Sequence, residues 1–576
     1  MIRPSLIFVL AVASGTVAYP QEKKTEPAKE GGETVVLRGR IVGARDGEAL
    51  PARLYVEDES GAFFHVHPAG PEGRAVEYDK KRGEKSVEVH TSLSAHPFEA
   101  ALPPGRYIVT AERGPEYLPA RVEIELRPGA EAETVDLRPE RWIDMARRGW
   151  FSGDTHCHRT LEELPVVMLA EDLNVALPLT SWVSDSTHTP KENNKNPDPV
   201  PPPRLVHVDD THVIWPVNTE YEIGTVEGKR HVLGAVFALN HTAPLEMAVP
   251  PVAPFVEEAR KQGALFDLDK QNWPWSMMLP PVIGASGLLF ELSNNHVWRA
   301  EFAFSKWYPE YVPESMNLPL RGGKEFDERG WLEFGFRTWY ALLNCGLRVM
   351  PTAGTASGVH PVPLGFGRVY ARMEDGDFTY EKWIQALRRG GTFVTTGPML
   401  FVTVAERHPG ETVKWSLSKR DGDRKKDDDD EKGEEGPGSG EVPVICRIES
   451  ARPIRKCELI VNGEATELEI GGRIGARAPH SAMIRAEVAL KTSAWIAVRV
   501  FTETEDGRAR FAHTAPVWVE VEGKPLLPKV LEADYLLKRV EAEIERNEDV
   551  LSKEALEEFR EAAKFFREKR ELALDE

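Results

Sequence analysis

The segment Gly153-Asp154-Thr155-His156-Cys157-His158 carries the chain's clearest chemistry. It follows Trp150-Phe151-Ser152, an apolar lead-in that predicts a strand ending at the histidines. Side chains at i and i+2 of a strand share a face, so His156 and His158 can converge on one ion while Cys157 turns away. Neutral imidazole suits zinc, iron or nickel. Competing catalytic signatures are absent from the sequence: no G-x-S-x-G elbow, no phosphate-binding Walker loop and no His-Glu-x-x-His. Trp273-Pro274-Trp275 and Trp298 offer aromatic surface.

Those histidines need a scaffold, and the 576-residue chain is long enough for several domains. Lys and Arg total 72 against 92 Asp and Glu, a net charge of −20, which argues against a nucleic-acid partner. Hydrophobic residues at 41% exclude a largely disordered chain. Arg3, the apolar run Leu6 to Ala13 and the small residues Thr16-Val17-Ala18 predict a signal peptide over 1–18, cleaved near Ala18. A flexible linker over 19–33 follows, and an exported protein is expected. No later stretch is long and apolar enough to span a bilayer, so no integral membrane protein is expected.

Residues 34–138 alternate apolar and polar between turn signals such as Asp46-Gly47 and Pro103-Pro104-Gly105, which predicts a β-sandwich. The stretch Leu102 to Tyr107 resembles the closing hairpin of carboxypeptidase-regulatory-like modules. Residues 145–400 alternate strand-like and helix-like runs, the texture of an α/β layer or barrel, interrupted by a Pro- and Asn-rich loop over 190–204. Residues 401–522 return to short strands, with a hairpin at Asn462-Gly463, and predict a second sandwich. The charge run 419–440 reads as a disordered insert within it. Over 530–574 the pattern is helical: Ser552 can cap a helix that carries Leu556, Phe559, Ala563 and Phe566 on one stripe. That stripe must pack on the preceding domain or on a second copy, as a homodimer. Cys446 and Cys457 stand at hairpin spacing and could form a disulfide or remain two buried thiols.

Several segments in order resemble one family: GDTHCHR (153–159), AEDLNV (170–175), NTEYEIGTVEGKRHVLG (218–234), YALLNCGLRVMPTAGTASG (340–358) and YEKWIQALRRGGTFVTTGP (380–398). Together they resemble the CehA/McbA-like branch of the PHP metallohydrolase superfamily over about residues 145–400. The resemblance implies a PHP-like distorted seven-stranded barrel; with the patterning above, the expected chain is multidomain, α/β plus all-β, the barrel flanked by two β-sandwiches and followed by a helical tail. It implies divalent ions and hydrolysis of ester, amide or phosphoester bonds. Carried over by position, His156, His158, Glu220 and His231 are the metal ligands, with Glu220 able to bridge two ions.

Three departures accompany it. Thr180-Ser181-Trp182 replaces a Thr-Asp-His, Gln271 stands where a histidine is expected, and Gly354-Thr355-Ala356 replaces Gly-Thr-Asp. They reduce the expectation to one ion of zinc, manganese or iron. Asp267, Asp269 and His360 are the candidate catalytic acids or bases, and His296 is a further candidate ligand. The expected function is an exported metal-dependent hydrolase. The alternative is a degenerate PHP scaffold that binds an extracellular glycan or other ligand without catalysis.

Overall fold

The computed structural model describes residues 33–574 apart from 85, 192–199, 299–313, 321, 323–324, 418–437, 471–477 and 503–507. The predicted signal peptide, nearly all of the predicted linker, most of the charged insert and the middle of the 190–204 loop lie outside the described residues. Among the described residues strand predominates over helix.

Near the N-terminus, a four-stranded sheet (Val35–Ile41, His67–Pro68, Phe98–Leu102, Ala132–Leu137) packs on a five-stranded one (Ala52–Asp58, Ala75–Lys81, Val87–Leu93, Gly105–Glu112, Ala120–Leu126). Alternation builds the interface. In Val35–Ile41 every second residue, Val35, Leu37 and Ile41 among them, is buried, meeting Leu54, Val56, Phe98 and Val109.

Two further sheets position the histidines. One has six strands in the order Ser181–Asp185, Thr219–Val226, Lys229–Leu239, Leu265–Asp269, Leu288–Ser293, Met350–Ala353. The other places Trp150–Cys157 between Val175–Pro178, parallel to it, and Arg368–Arg372, antiparallel. These strands are buried on both faces along their length, so the polar residues they carry, such as Asp154, His156, Asp267, Asp269 and Glu291, are interior groups. Helices Ala253–Lys261, Pro274–Ile283, Glu328–Asn344 and Tyr380–Arg389 separate strands of the two sheets in sequence.

No clean break separates this region from the C-terminal strands. Thr392–Thr395 pairs with Arg510–Thr514, so the sheet holding His156 continues into Ala494–Thr502 and Val517–Val521. Arg499, buried, bonds Glu458 of the neighbouring strand at 2.7 Å and Glu333 of helix Glu328–Asn344 at 3.0 Å, tying the two parts together. A three-stranded sheet (Met399–Val404, Val442–Ser450, His480–Val488) covers the other side. Asn462 and Gly463 form the expected two-residue turn, both at positive φ (49° and 84°).

Of the two alternatives left open for Cys446 and Cys457, the structure has two free buried thiols, which meet across the core because their strands lie in different sheets rather than in one hairpin. One expectation is corrected here. The tail stripe does not await a second copy. Val530–Asn547 and Lys553–Glu571 form a helical pair whose Leu536, Val540, Phe559, Ala563 and Phe566 enter the main core beside Met277 and Met278. Ser552 caps the second helix, accepting from Ala555 N at 3.2 Å. Glu558 in turn accepts from Val252 N and Ala253 N at 2.8 and 2.7 Å, placing a carboxylate at the N-terminus of helix Ala253–Lys261 where its dipole is positive. The face proposed for dimerisation is therefore covered by the chain itself. Among the described residues no helix is long and apolar enough to cross a membrane.

Candidate metal centre

His156 and His158 end the strand Trp150–Cys157, with ring centroids 5.3 Å apart. Cys157 faces the opposite side and packs with Leu164, Val167 and Met168, as the period of two requires. The loop after Met350–Ala353 crosses the strand end. Thr355 N donates to His156 O at 3.1 Å and His158 N to Ser357 O at 2.7 Å. Gly354 makes this crossing possible, because a Cβ there would lie 2.2 Å from Glu291 Oε1 and 2.3 Å from His156 Cβ.

Glu220 arrives from the strand Thr219–Val226, and its Oε2 lies 3.4 Å from His158 Nε2. Ligand atoms of His156, His158 and Glu220 all fall within 4.8 Å of one another. A second triad with the same spacing joins His156 to Asp269 and Glu291. Glu291 Oε1 meets His156 Nδ1 at 3.0 Å, so Glu291 orients the ring that both triads share. Trp182 lies against His158 (4.6 Å between centroids) and Phe237 against His156 (4.5 Å), walling the histidines with aromatic surface.

Burial sets the electrostatics. It pushes the His156 pKa down to about 3, which keeps the imidazole neutral and fit to bind a metal. Asp267 is pushed up to about 7 by burial, although the hydroxyls of Thr155 (2.9 Å) and Thr352 (2.8 Å) donate to it. Burial also opposes ionisation of Asp269, but the neighbouring Lys270 ammonium outweighs it and holds Asp269 below its ordinary value. Glu291 is raised by burial and then by the charges of Asp269 and Asp267.

Of the candidates from sequence, the structure gathers His156, His158, Glu220, Asp269 and, behind them, Asp267. It does not gather His231. In the hairpin Thr219–Val226/Lys229–Leu239, Glu220 pairs with Phe237, while His231 sits at the turn end. There its Nε2 meets Asn547 Oδ1 of the tail helix at 2.6 Å, so the expectation that His231 is a ligand is replaced by a tertiary contact. His360 is half-buried in the crossing loop, and Tyr78 of the N-terminal sandwich donates to its carbonyl. Tyr78 also accepts from Gly358 N at 2.9 Å and carries Arg159 over its ring at 3.8 Å, so that sandwich braces the loop. His296 packs 4.9 Å from Trp331. Gln271 is spent on structure, donating to Trp331 O at 2.9 Å and accepting from Asn294 at 3.2 Å.

Glu291 was missed from sequence. Its signal was a single carboxylate inside Leu288-Leu289-Phe290-Glu291-Leu292, because a carboxylate in a fully buried strand must have a partner.

The residues present fit a divalent ion: two imidazoles, that of His156 held neutral by burial, and a carboxylate converge. No family model, no curated protein and no solved structure matches this chain.

Proposed function

We propose that this chain is an exported metal-dependent hydrolase of ester, amide or phosphoester bonds. In this reading His156, His158 and Glu220 hold one divalent ion of zinc, manganese or iron. The convergence of those three ligand atoms within 4.8 Å carries the reading. An ion bound there supplies Lewis acidity toward water and a substrate oxygen. The same reading takes the two facing sheets as a distorted seven-stranded barrel of the PHP type.

The chain's own groups then have separate duties. Glu291 fixes the His156 ring by accepting from Nδ1, which leaves the other nitrogen to bind. Trp182 and Phe237 exclude water around the imidazoles and strengthen the local field. Asp267, at about 7, can hold or release a proton near neutral pH, with Thr155 and Thr352 fixing its orientation. The crossing loop brings His360 to the same end, braced by Tyr78. Trp182 and Gln271, which cannot serve as ordinary ligands of a transition metal, favour a second reading: a scaffold that binds a glycan or other ligand without catalysis.

A colorimetric screen separates the two readings. Nitrophenyl esters and phosphodiesters are offered to protein loaded with zinc, manganese or iron, beside a His156→Ala/His158→Ala variant. Turnover of at least one class is expected about 100-fold or more above the variant, abolished by chelation and restored by the ion. A loaded protein no faster than the variant on every substrate rejects catalysis of these bonds and leaves the binding scaffold.

A further inference from the structure

The second triad has a cation of the chain's own beside it. Lys270 follows Asp269 at the end of the strand Leu265–Asp269, and its ammonium contacts Asp269 Oδ2. It is 6% exposed, so this cation is a permanent part of the interior. Its backbone is left-handed (φ 56°), which a non-glycine residue adopts at a cost. Neighbouring groups hold that turn: Ser276 Oγ and Trp273 N donate to the Lys270 carbonyl at 2.7 and 3.1 Å. The ammonium lies 4.0 Å from the centre of the Trp273 ring, a second cation-stabilising contact.

The groups on which this charge bears come from every side of the centre. They are Asp269 on the preceding strand, Glu291 on the adjacent strand Leu288–Ser293, Glu222 two strands away on Thr219–Val226, and the imidazoles of His156, His296 and His360. Asp269 and Glu291 share a hydrogen bond that favours a protonated Glu291, so the charge to be balanced is that of Asp269, and its counter-charge is the contacting ammonium of Lys270. A divalent ion on His156, Asp269 and Glu291 would sit beside the ammonium in a low-dielectric interior, where like charges repel strongly.

We propose that Lys270 is a built-in second cation. Its ammonium takes the charge-balancing place of a second divalent ion at His156, Asp269 and Glu291, so the centre accepts a single exchangeable ion at His156, His158 and Glu220. This rests on the metal-centre reading above and explains why one ion suffices. Lys270 is thus a determinant of metal number, and His156, shared by both triads, feels a fixed charge on one side and an exchangeable one on the other.

The test is the number of zinc equivalents held by the full chain, measured by plasma mass spectrometry after dialysis against buffered micromolar zinc. Three proteins are compared: wild type, Lys270→Met, which keeps the stem and removes the charge, and Lys270→Arg, which keeps the charge. Lys270→Met is expected to hold one equivalent more than wild type, and Lys270→Arg the same number as wild type. Adding Asp269→Asn to Lys270→Met should remove the extra equivalent. No extra equivalent in a folded Lys270→Met overturns the proposal. So does a wild-type protein that saturates at two, a result that depends on no variant folding. Wild-type protein holding no zinc would instead fail the metal-centre reading, and the difference between Lys270→Met and wild type would still decide the role of the lysine.

Discussion

Gly354→Ala is expected to abolish tight metal binding while leaving most of the fold in place. The added methyl group would enter space already held by Glu291 Oε1, at 2.2 Å, and His156 Cβ, at 2.3 Å. Neither neighbour can yield freely. His156 belongs to a buried strand and to both ligand triads, and Glu291 is the group that fixes its ring. The methyl must therefore push the loop off the strand end or turn His156 out of line. Disturbing a group that orients a ligand costs about 10- to 100-fold in affinity, and moving the ligand itself costs more. Overpacking adds about 1–3 kcal/mol of destabilisation. Calorimetric zinc titration with circular dichroism as the fold control checks this. An affinity within about threefold of wild type would mean that the loop is not locked against the ligands.

His513→Gln is expected to reverse its effect on stability between neutral and acid pH. His513 is buried and fully satisfied as a neutral ring: Nδ1 donates to Thr514 O at 2.8 Å and Nε2 accepts from the Tyr340 hydroxyl at 2.6 Å. Burial, and then the charge of Arg499, lower its pKa from 6.5 to about 3. The unfolded chain takes up this proton first, so the stability due to the neutral ring is present above about 6.5 and lost as pH falls toward about 3. Each unit of the shift is worth about 1.4 kcal/mol. Buried carboxyls with raised values, such as Asp267, act in the opposite sense, so the comparison is between variant and wild type at each pH. Glutamine should cost about 1–2 kcal/mol at pH 7.5 through weakened hydrogen bonds. That penalty should shrink by about 1.4 kcal/mol per pH unit below about 6 and change sign before pH 4. Urea denaturation at several pH values measures it, and a penalty independent of pH would show that His513 titrates normally.

What the sequence revealed follows from which interactions are local. His156 and His158 were legible because a strand's period of two is a local property. The hairpin at Asn462-Gly463 was legible because positive φ at two adjacent positions selects those residue types. The tail stripe showed that Phe559 and Phe566 must be buried, but periodicity does not say against what, and the answer was the chain's own core. His231 was assigned by resemblance alone, and the hairpin register carried it to the turn end, away from Glu220. Cys446 and Cys457 are neighbours, but across the core and not within a hairpin, because their consecutive strands belong to opposite sheets. Lys270 was visible only as a letter between Asp269 and Gln271. Its importance depends on a left-handed backbone and on carboxyls brought from other strands.

The central claim is that His156, His158 and Glu220 form a working metal centre, and the metal content of the purified protein tests it most directly. Plasma mass spectrometry of wild type beside His156→Ala/His158→Ala should find about one equivalent of zinc, manganese or iron in the first and none in the second. A wild-type protein holding no more metal than the double variant, even after incubation with excess ions, would contradict the account.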